Sequence, residues 1–316
     1  MPVSSTEQLR IGIITMPHWR RIEAGTNHIM KSYTNWFQAR NVRVVAIPYD
    51  TPRPEWYFDR VDGVLIQGGG AKMNQYLYQT CLTFIRYSLE LWKSERKLFP
   101  IWGTCLGFEI IVSLVGHIFP LQQFDALKYM KNLVFTKEAS ASDSRLYKSV
   151  GFTPEYMRLL ESAPIVEFNH SHGISPQKFR ANIVLHRAFS VTATATDRDG
   201  KVFVASIEGR GGLPIYGVQG HPERQPITNA PFLDFFVGEL AHSRVLRTGK
   251  LLPLSGARPQ VIAGKCAQYP EHRTLDCFFF KDGSDGGRLK KEQVARFIKD
   301  MLENKDKAAA AGVTDE

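Results

Sequence analysis

Two short segments hold residue types that could do chemistry together. The first is Phe99-Pro100-Ile101-Trp102-Gly103-Thr104-Cys105-Leu106-Gly107-Phe108-Glu109. An apolar strand runs into a sharp turn and then a helix start, with a cysteine at the turn, which is the layout of a nucleophile elbow. Gly103 and Gly107 let the backbone turn tightly and the helix approach the strand. The helix start behind Cys105 offers free N–H groups and a positive dipole end, which favour a thiolate. Taken alone, Cys105 reads equally well as a small buried hydrophobe.

The second segment is Leu213-Pro214-Ile215-Tyr216-Gly217-Val218-Gln219-Gly220-His221-Pro222-Glu223-Arg224, another apolar strand, ending in His-x-Glu. A cysteine nucleophile needs a general base, and the base needs a group that holds its tautomer and orientation. His221 and Glu223 supply both roles from one loop. They are two apart, so in an extended segment they face the same way. Cys105, His221 and Glu223 are therefore the expected catalytic set.

Acyl transfer from a thiolate creates a tetrahedral oxyanion, at which backbone N–H donors must be aimed. The amide of Leu106, next to the cysteine, is one expected donor. The other is expected from Gly69 or Gly70 in Gln67-Gly68-Gly69-Gly70. That glycine run lacks the Lys-Ser/Thr of a P-loop and the GxGxxG spacing, so it reads as close-approach backbone, not a phosphate cradle. Asn169-His170-Ser171-His172-Gly173-Ile174-Ser175 carries two histidines near a strand-to-loop junction. That stretch itself holds no carboxylate or cysteine, so no metal is expected. Packing is the plain reading of these histidines, and a substrate contact or acid–base role for His170 is the sharper one.

The elements that must position these residues read as strands alternating with helices. Leu9 to Thr15, Val42 to Ile47, Val61 to Ile66 and Leu98 to Trp102 read as strands. Asn27 to Arg40, Tyr76 to Trp92 and Leu106 to Val115 read as helices, the first from Ile29, Tyr33, Trp36 and Phe37 at helical spacing, a stripe assigned to core packing. The expected fold is α/β, a doubly wound and mostly parallel central sheet flanked by helices. Ligands then bind at the carboxyl ends of the strands, where the glycine run, Cys105 and His221 all fall. Pro120 to Ser149 has no strong period. Thr153 to Ser162 and Ala230 to His242 read as helices. Residues Ile165 to Ile207 alternate apolar and polar, which suggests added antiparallel strands, with a hairpin at Asp199-Gly200.

The chain has 316 residues, 43% hydrophobic and 22% charged, as in ordinary globular proteins. Residues 1–280 read as a single catalytic domain. Residues 281–316 read as a charged extension: a linker at 281–287, a helix over Leu289 to Asn304 and an Ala-rich end. The net charge of +9 is spread along the chain and suits an anionic partner without naming one. Zinc spacing and RNA-binding signatures are missing, so no nucleic-acid partner is expected. No apolar run reaches transmembrane length, so no membrane partner is expected. None of Cys81, Cys105, Cys266 and Cys277 forms a CxxC pair. Free thiols are the simpler state, and a Cys266–Cys277 disulfide would need an oxidising compartment. The sequon Asn169-His170-Ser171 falls in the expected site and is not expected to carry sugar.

On these residues the chain resembles the gamma-glutamyl hydrolases (folate gamma-glutamyl hydrolase, gamma-Glu-X carboxypeptidase), a branch of the class I glutamine amidotransferase-like superfamily. Phe99 to Glu109 and Tyr216 to Glu223 are similar to that family's cysteine and histidine segments. Gly12 to Pro17, Ser32-Tyr33 with Trp36, Gly63 to Gly69, Ser144-Arg145-Leu146 and Asn169 to Ser175 match as well. The resemblance implies Cys105 as nucleophile, His221 as its partner, Glu223 as the orienting group and His170 as a second active-site histidine. It implies cleavage of folylpoly-gamma-glutamates by water, with no cofactor, and is compatible with a homodimer. The alternative within the superfamily is a glutaminase component that passes ammonia to a synthase. Against that stands the Phe108-Glu109 pair.

Three features depart from the family pattern. Gly220 stands where the family usually has Trp, a loss expected to widen the pocket or alter specificity. The family is usually secreted, lysosomal or vacuolar, yet no basic-then-apolar leader precedes the first strand, which leaves a cytoplasmic location open. The segment from Lys281 has no counterpart.

Overall fold

The structure, a computed structural model, describes residues 8–22, 25–71, 74–119, 121–140, 144–247, 251–254, 260–261 and 275–279. The linker and helix expected beyond Lys281 lie outside these residues, as does Cys266.

The chain begins with β1 (Arg10–Ile14), β2 (Met16–Ile22), β3 (Gly25–Met30), α1 (Lys31–Gln38) and β4 (Arg43–Ile47). Next come β5 (Gly63–Ile66), α2 (Gln75–Glu95), β6 (Ile101–Thr104) and α3 (Leu106–Gly116). The middle holds β7 (Gln122–Lys131), β8 (Val134–Phe135), α4 (Pro154–Ser162), β9 (Val166–Gly173), α5 (Pro176–Ala181) and α6 (Ile183–Ala188). It ends in β10 (Phe189–Thr196) and β11 (Val202–Gly209). β12 (Ile215–Val218) and α7 (Pro226–Leu246) follow, then β13 (Gln260–Val261) and β14 (Leu275–Phe279).

The main sheet has eight strands in the order β4-β1-β5-β6-β12-β11-β10-β8. The strands from β4 to β12 run parallel, and β11, β10 and β8 extend the sheet antiparallel. The parallel strands are apolar throughout because both faces are covered. Ile13, Leu65 and Trp102 pack on one face with Trp36, Phe37 and Phe236 from α1 and α7. Ile14, Ile66 and Ile101 pack on the other with Leu77, Phe84 and Ile111 from α2 and α3. Neighbours such as Ile13 and Ile14 fall on opposite faces, as the two-residue period of a strand requires. Burying each such side chain contributes roughly 1.5–3 kcal/mol. A second sheet has the order β13-β14-β3-β2, and β7 and β9 form a separate two-stranded ribbon.

Three expectations about the elements need correction. The segment Asn27 to Met30 is strand β3, and the helix starts only at Lys31. Pairing with β2 and β14 extends this backbone, and the aromatic residues that set the helical spacing all lie beyond residue 30. The aperiodic stretch from Pro120 contains the ten-residue β7. Its alternation is blurred by register shifts around Ala126 and by Lys128 at φ 48°. The run from Ile165 is interrupted by two short helices, each with a legible start: Ser175 caps α5 through Lys178 N–H, and Asn182 caps α6 through Leu185 N–H.

Helix α3 lies against the end of β5 at a distance that only glycine permits. A Cβ added at Gly107 would sit 1.9 Å from the carbonyl oxygen of Ile66. Gly107→Ala is therefore expected to cost about 1–3 kcal/mol or more, read as a lower urea midpoint with unchanged slope. An unchanged midpoint would show that α3 does not need this close approach.

Candidate active site

Cys105 joins β6 to α3 with φ 51° and ψ −108°, a conformation L-residues seldom adopt. Such a backbone costs on the order of 1–3 kcal/mol and persists only where its surroundings over-determine it. Here the Cys105 N–H donates to Val218 O at 2.8 Å, tying the elbow to β12, and Cys105 O accepts the Glu109 N–H at 2.9 Å. The Sγ atom lies 3.8 Å from Asn169 O on β9. Leu106 opens α3, so its N–H belongs to the first turn, where no intrahelical acceptor exists.

His221 follows β12, and its Nδ1 donates to Glu223 Oε1 at 2.8 Å, with both side chains buried. The two meet across a turn through Pro222, not along an extended segment, and Arg224 N–H closes that turn on His221 O at 3.2 Å. β9 holds the turn from the other side. His221 N–H donates to Glu167 O at 2.8 Å. The Glu167 carboxylate accepts from Arg224 Nη1 at 2.9 Å and from Gln225 Nε2 at 2.6 Å. Burial opposes charge on the His221 ring, but Glu223 and Cys105 outweigh it and push the imidazole up to about 10. The buried Nε2 has no hydrogen-bond partner among the described residues.

These groups open on a cleft of about 590 Å³ at the carboxyl edge of the sheet. Cys105, Leu106, Gly69, Gly70, His170 and His221 all line it. Of the residues expected from sequence, only Glu223 stands behind the cleft wall, where it serves His221. The lining also includes the apolar side chains of Phe119, Leu121 and Leu127. His170 Nδ1 donates to His172 O at 2.8 Å, which leaves the buried Nε2 as an acceptor without a protein partner among the described residues. Burial pushes the His170 imidazole down to about 4, so it is neutral at ordinary pH. Among the described residues no group of three His, Cys, Asp or Glu side chains could hold a metal ion.

The glycine run divides into separate roles. Gly68 N–H donates to the phenol oxygen of Tyr33 at 2.9 Å, and Gln67 Nε2 donates to Ile14 O and His28 O at 2.9 and 3.1 Å. Gly69, at φ 145°, and Gly70 have open space where a Cβ would be. Sequence reasoning passed over Tyr33, which it assigned to packing, and over Gln67, Glu167 and Arg224. Gln67 had a signal, an amide at the end of an apolar strand. Tyr33 had only the Ser32-Tyr33 match to the family, which gave no role, since its ring does pack in the core. Glu109, next to the cysteine, also lines the cleft. Burial pushes its carboxyl up to about 7 against a 3.1 Å hydrogen bond from Gln219 Nε2 and the charge of His221.

Gly220 does not face this cleft. A Cβ there would meet Val166 Cγ1 at 2.8 Å and Glu167 O at 3.2 Å, both on β9. A side chain there would start toward β9, and glycine lets β9 close over the His221 turn.

A mostly parallel sheet with a strained strand-to-helix elbow and a facing histidine turn is the fold of the class I glutamine amidotransferases. Residues 26–237 match the family described as "Glutamine amidotransferase class-I". Gamma-glutamyl hydrolase B of Dictyostelium discoideum is 35% identical over 223 residues, covering 68% of this chain and 62% of that protein. Gamma-glutamyl hydrolase of Bos taurus is 30% identical over 264 residues, covering 77% of this chain and 80% of that protein. Gamma-glutamyl hydrolase 1 of Arabidopsis thaliana is 30% identical over 207 residues, covering 64% of this chain. The match spans less than two thirds of the Dictyostelium and Arabidopsis relatives, 62% and 57% of their lengths. The chain belongs to the class I glutamine amidotransferase family, in its gamma-glutamyl hydrolase branch.

The raised imidazole fixes the sign of a stability effect. A group whose folded pKa lies above its unfolded value of about 6.5 stabilises fully below that pH, and the contribution is lost as pH rises through about 10. Glu223→Gln removes one of the two charges that raise it. The thermal midpoint of the variant is expected to fall below wild type by a few degrees at pH 6, with the gap narrowing toward pH 10. A gap that is constant with pH would refute the ionic coupling.

Proposed function

We propose that this protein hydrolyses gamma-glutamyl amide bonds, with folylpoly-gamma-glutamates as the substrate class and a thioester on Cys105 as intermediate. The observation that carries this reading is the strained Cys105 opening into the same cleft as the buried His221–Glu223 pair. Membership of a branch whose named relatives are gamma-glutamyl hydrolases supports the bond type.

The thiolate of Cys105 attacks the gamma-carbonyl carbon, forming a C–S bond and moving the π pair onto oxygen. The amides of Leu106 and Gly69 or Gly70 hold that oxyanion. As the tetrahedral species collapses, the C–N bond breaks and the His221 imidazolium gives its Nε2 proton to the leaving amine. Water then adds to the thioester with neutral His221 as base, and the C–S bond breaks to free the acid and restore the thiol. Glu223 keeps Nδ1 protonated and the ring oriented through both steps. His170, neutral and with a free Nε2 acceptor, receives an N–H of the substrate or the attacking water. The apolar lining of Phe119, Leu121 and Leu127 suits a flat aromatic head group, and the basic balance of the chain suits a polyanionic tail.

Incubation with pteroyl-pentaglutamate, followed by chromatography of the products, tests the reading, with free glutamine in a parallel reaction. Shortened folates are expected from wild type. Cys105→Ala and His221→Asn are each expected to lower turnover at least about 1,000-fold while remaining folded, the second with a lowered thermal midpoint because Glu223 loses its buried partner. Full turnover by Cys105→Ala would overturn the mechanism. Ammonia from glutamine with the folate intact would instead make the protein a glutaminase component.

A further inference from the structure

We propose that Tyr33 is a positioning residue for the oxyanion site: by accepting the Gly68 N–H, its phenol fixes the segment that presents the Gly69 amide to the reacting carbonyl. This rests on the reading of Cys105 as nucleophile and adds to it a residue from α1.

Three successive glycines follow Gln67. Such a segment has more conformational freedom than any other, so donors on it are scattered unless the backbone is tied down. Oxyanion stabilisation depends on donors already in place when charge develops. Two ties are present. Gln67 bonds the carbonyls of Ile14 and His28 and accepts the Met30 N–H at 3.0 Å, which fixes the end of β5 to β1 and to the start of α1. One residue on, the 2.9 Å bond from Gly68 N–H to the Tyr33 oxygen is the last tie before the cleft. It also removes the Gly68 amide from the set of free donors, which leaves Gly69 and Gly70.

The location of this bond makes it part of the site. A Cβ on Gly68 would meet the Tyr33 oxygen at 2.8 Å, His221 Cε1 at 3.0 Å and Cys105 Cβ at 3.2 Å. The phenol, the base and the nucleophile thus crowd the one side of Gly68 where a side chain would stand. Tyr33 is fully buried, and its ring is fixed with Trp36 and Phe37 in the core. Burial, then the charges of Glu223 and Cys105, hold the hydroxyl well above the usual phenol range, so it stays neutral and offers a lone pair to the amide.

The test is Tyr33→Phe, which keeps the ring and removes the acceptor. Turnover of pteroyl-pentaglutamate is expected to fall about 10- to 100-fold with KM within about twofold, because a displaced donor costs transition-state stabilisation alone. Affinity for an N-acyl-glutamate gamma-semialdehyde, whose hemithioacetal occupies the oxyanion site, is expected to fall by a similar factor. Alkylation of Cys105 by iodoacetamide is expected to stay within about twofold of wild type. Incorporation of 3,5-difluorotyrosine at position 33, nearly isosteric but a weaker acceptor, is expected to give intermediate values and covers the case in which Tyr33→Phe does not fold. Wild-type turnover and aldehyde affinity in either variant would overturn the proposal, as would a parallel loss of alkylation rate, which marks general collapse. Cys105→Ala in the same assays separates the two levels. Hydrolysis by that variant refutes the nucleophile itself, whereas its inactivity beside a wild-type-like Tyr33→Phe refutes only the role of Tyr33.

Discussion

The rest of this structure depends on one strained residue. Cys105 has a backbone conformation that no isolated L-residue would keep, and the sheet supplies what holds it there. Its N–H is bonded to β12 and its carbonyl starts α3, while β6, which carries it, is paired on both edges by β5 and β12. Gly103 and Gly107 are the steric counterpart, because a side chain at Gly103 would collide with Gly107 and Ile111 of α3 and one at Gly107 with Ile66 at the end of β5. A central parallel strand, buried on both faces, is the stiffest part of such a domain. Strain at its carboxyl end is held by the surrounding packing instead of relaxing, and a thiol results that stands clear of the sheet.

The electrostatics of the site follow from its burial. His221 and Glu223 are both withdrawn from water. Their 2.8 Å contact is therefore little screened, and the imidazole is held in its protonated form well beyond the usual histidine range. His170, a few residues along β9 from Glu167, is hydrogen-bonded to a backbone carbonyl and not to a carboxylate among the described residues, and it goes the other way, driven neutral by the same desolvation. Two histidines lining one cleft are thus set to opposite protonation states by their neighbours, which separates a group that can give a proton from one that can only accept a hydrogen bond at that pH.

The β7–β9 ribbon connects these observations. It is separate from the main sheet, yet it supplies the Glu167 backbone and carboxylate that hold the histidine turn, the Asn169 carbonyl beside Sγ, and His170. Gly220 makes the approach close, since a side chain there would strike Val166 and Glu167.

The parallel sheet and the main site were legible in sequence because both depend on local constraints. Apolar runs of strand length before Gln67, Cys105 and Gln219 marked buried strands, and glycines at Gly103 and Gly107 marked a turn that few other sequences make. The helix N-terminus, the cysteine and the His-Pro-Glu turn are each defined within about a dozen residues, so residue type and spacing determined them. What the tertiary structure decided lies between segments distant in the chain. Tyr33 reads as one more aromatic on a helix, and only folding brings its oxygen to Gly68. Gly220 reads as a missing wall of the cleft, and only the position of β9 shows that it faces elsewhere. The β7 strand is broken by bulges, so its period was lost, and Asn27 to Met30 became a strand because β2 just before it and β14 far along the chain were there to pair with it. Spacing determines which groups a loop can offer, whereas direction and protonation are set by the packing of what lies opposite, which no single segment encodes.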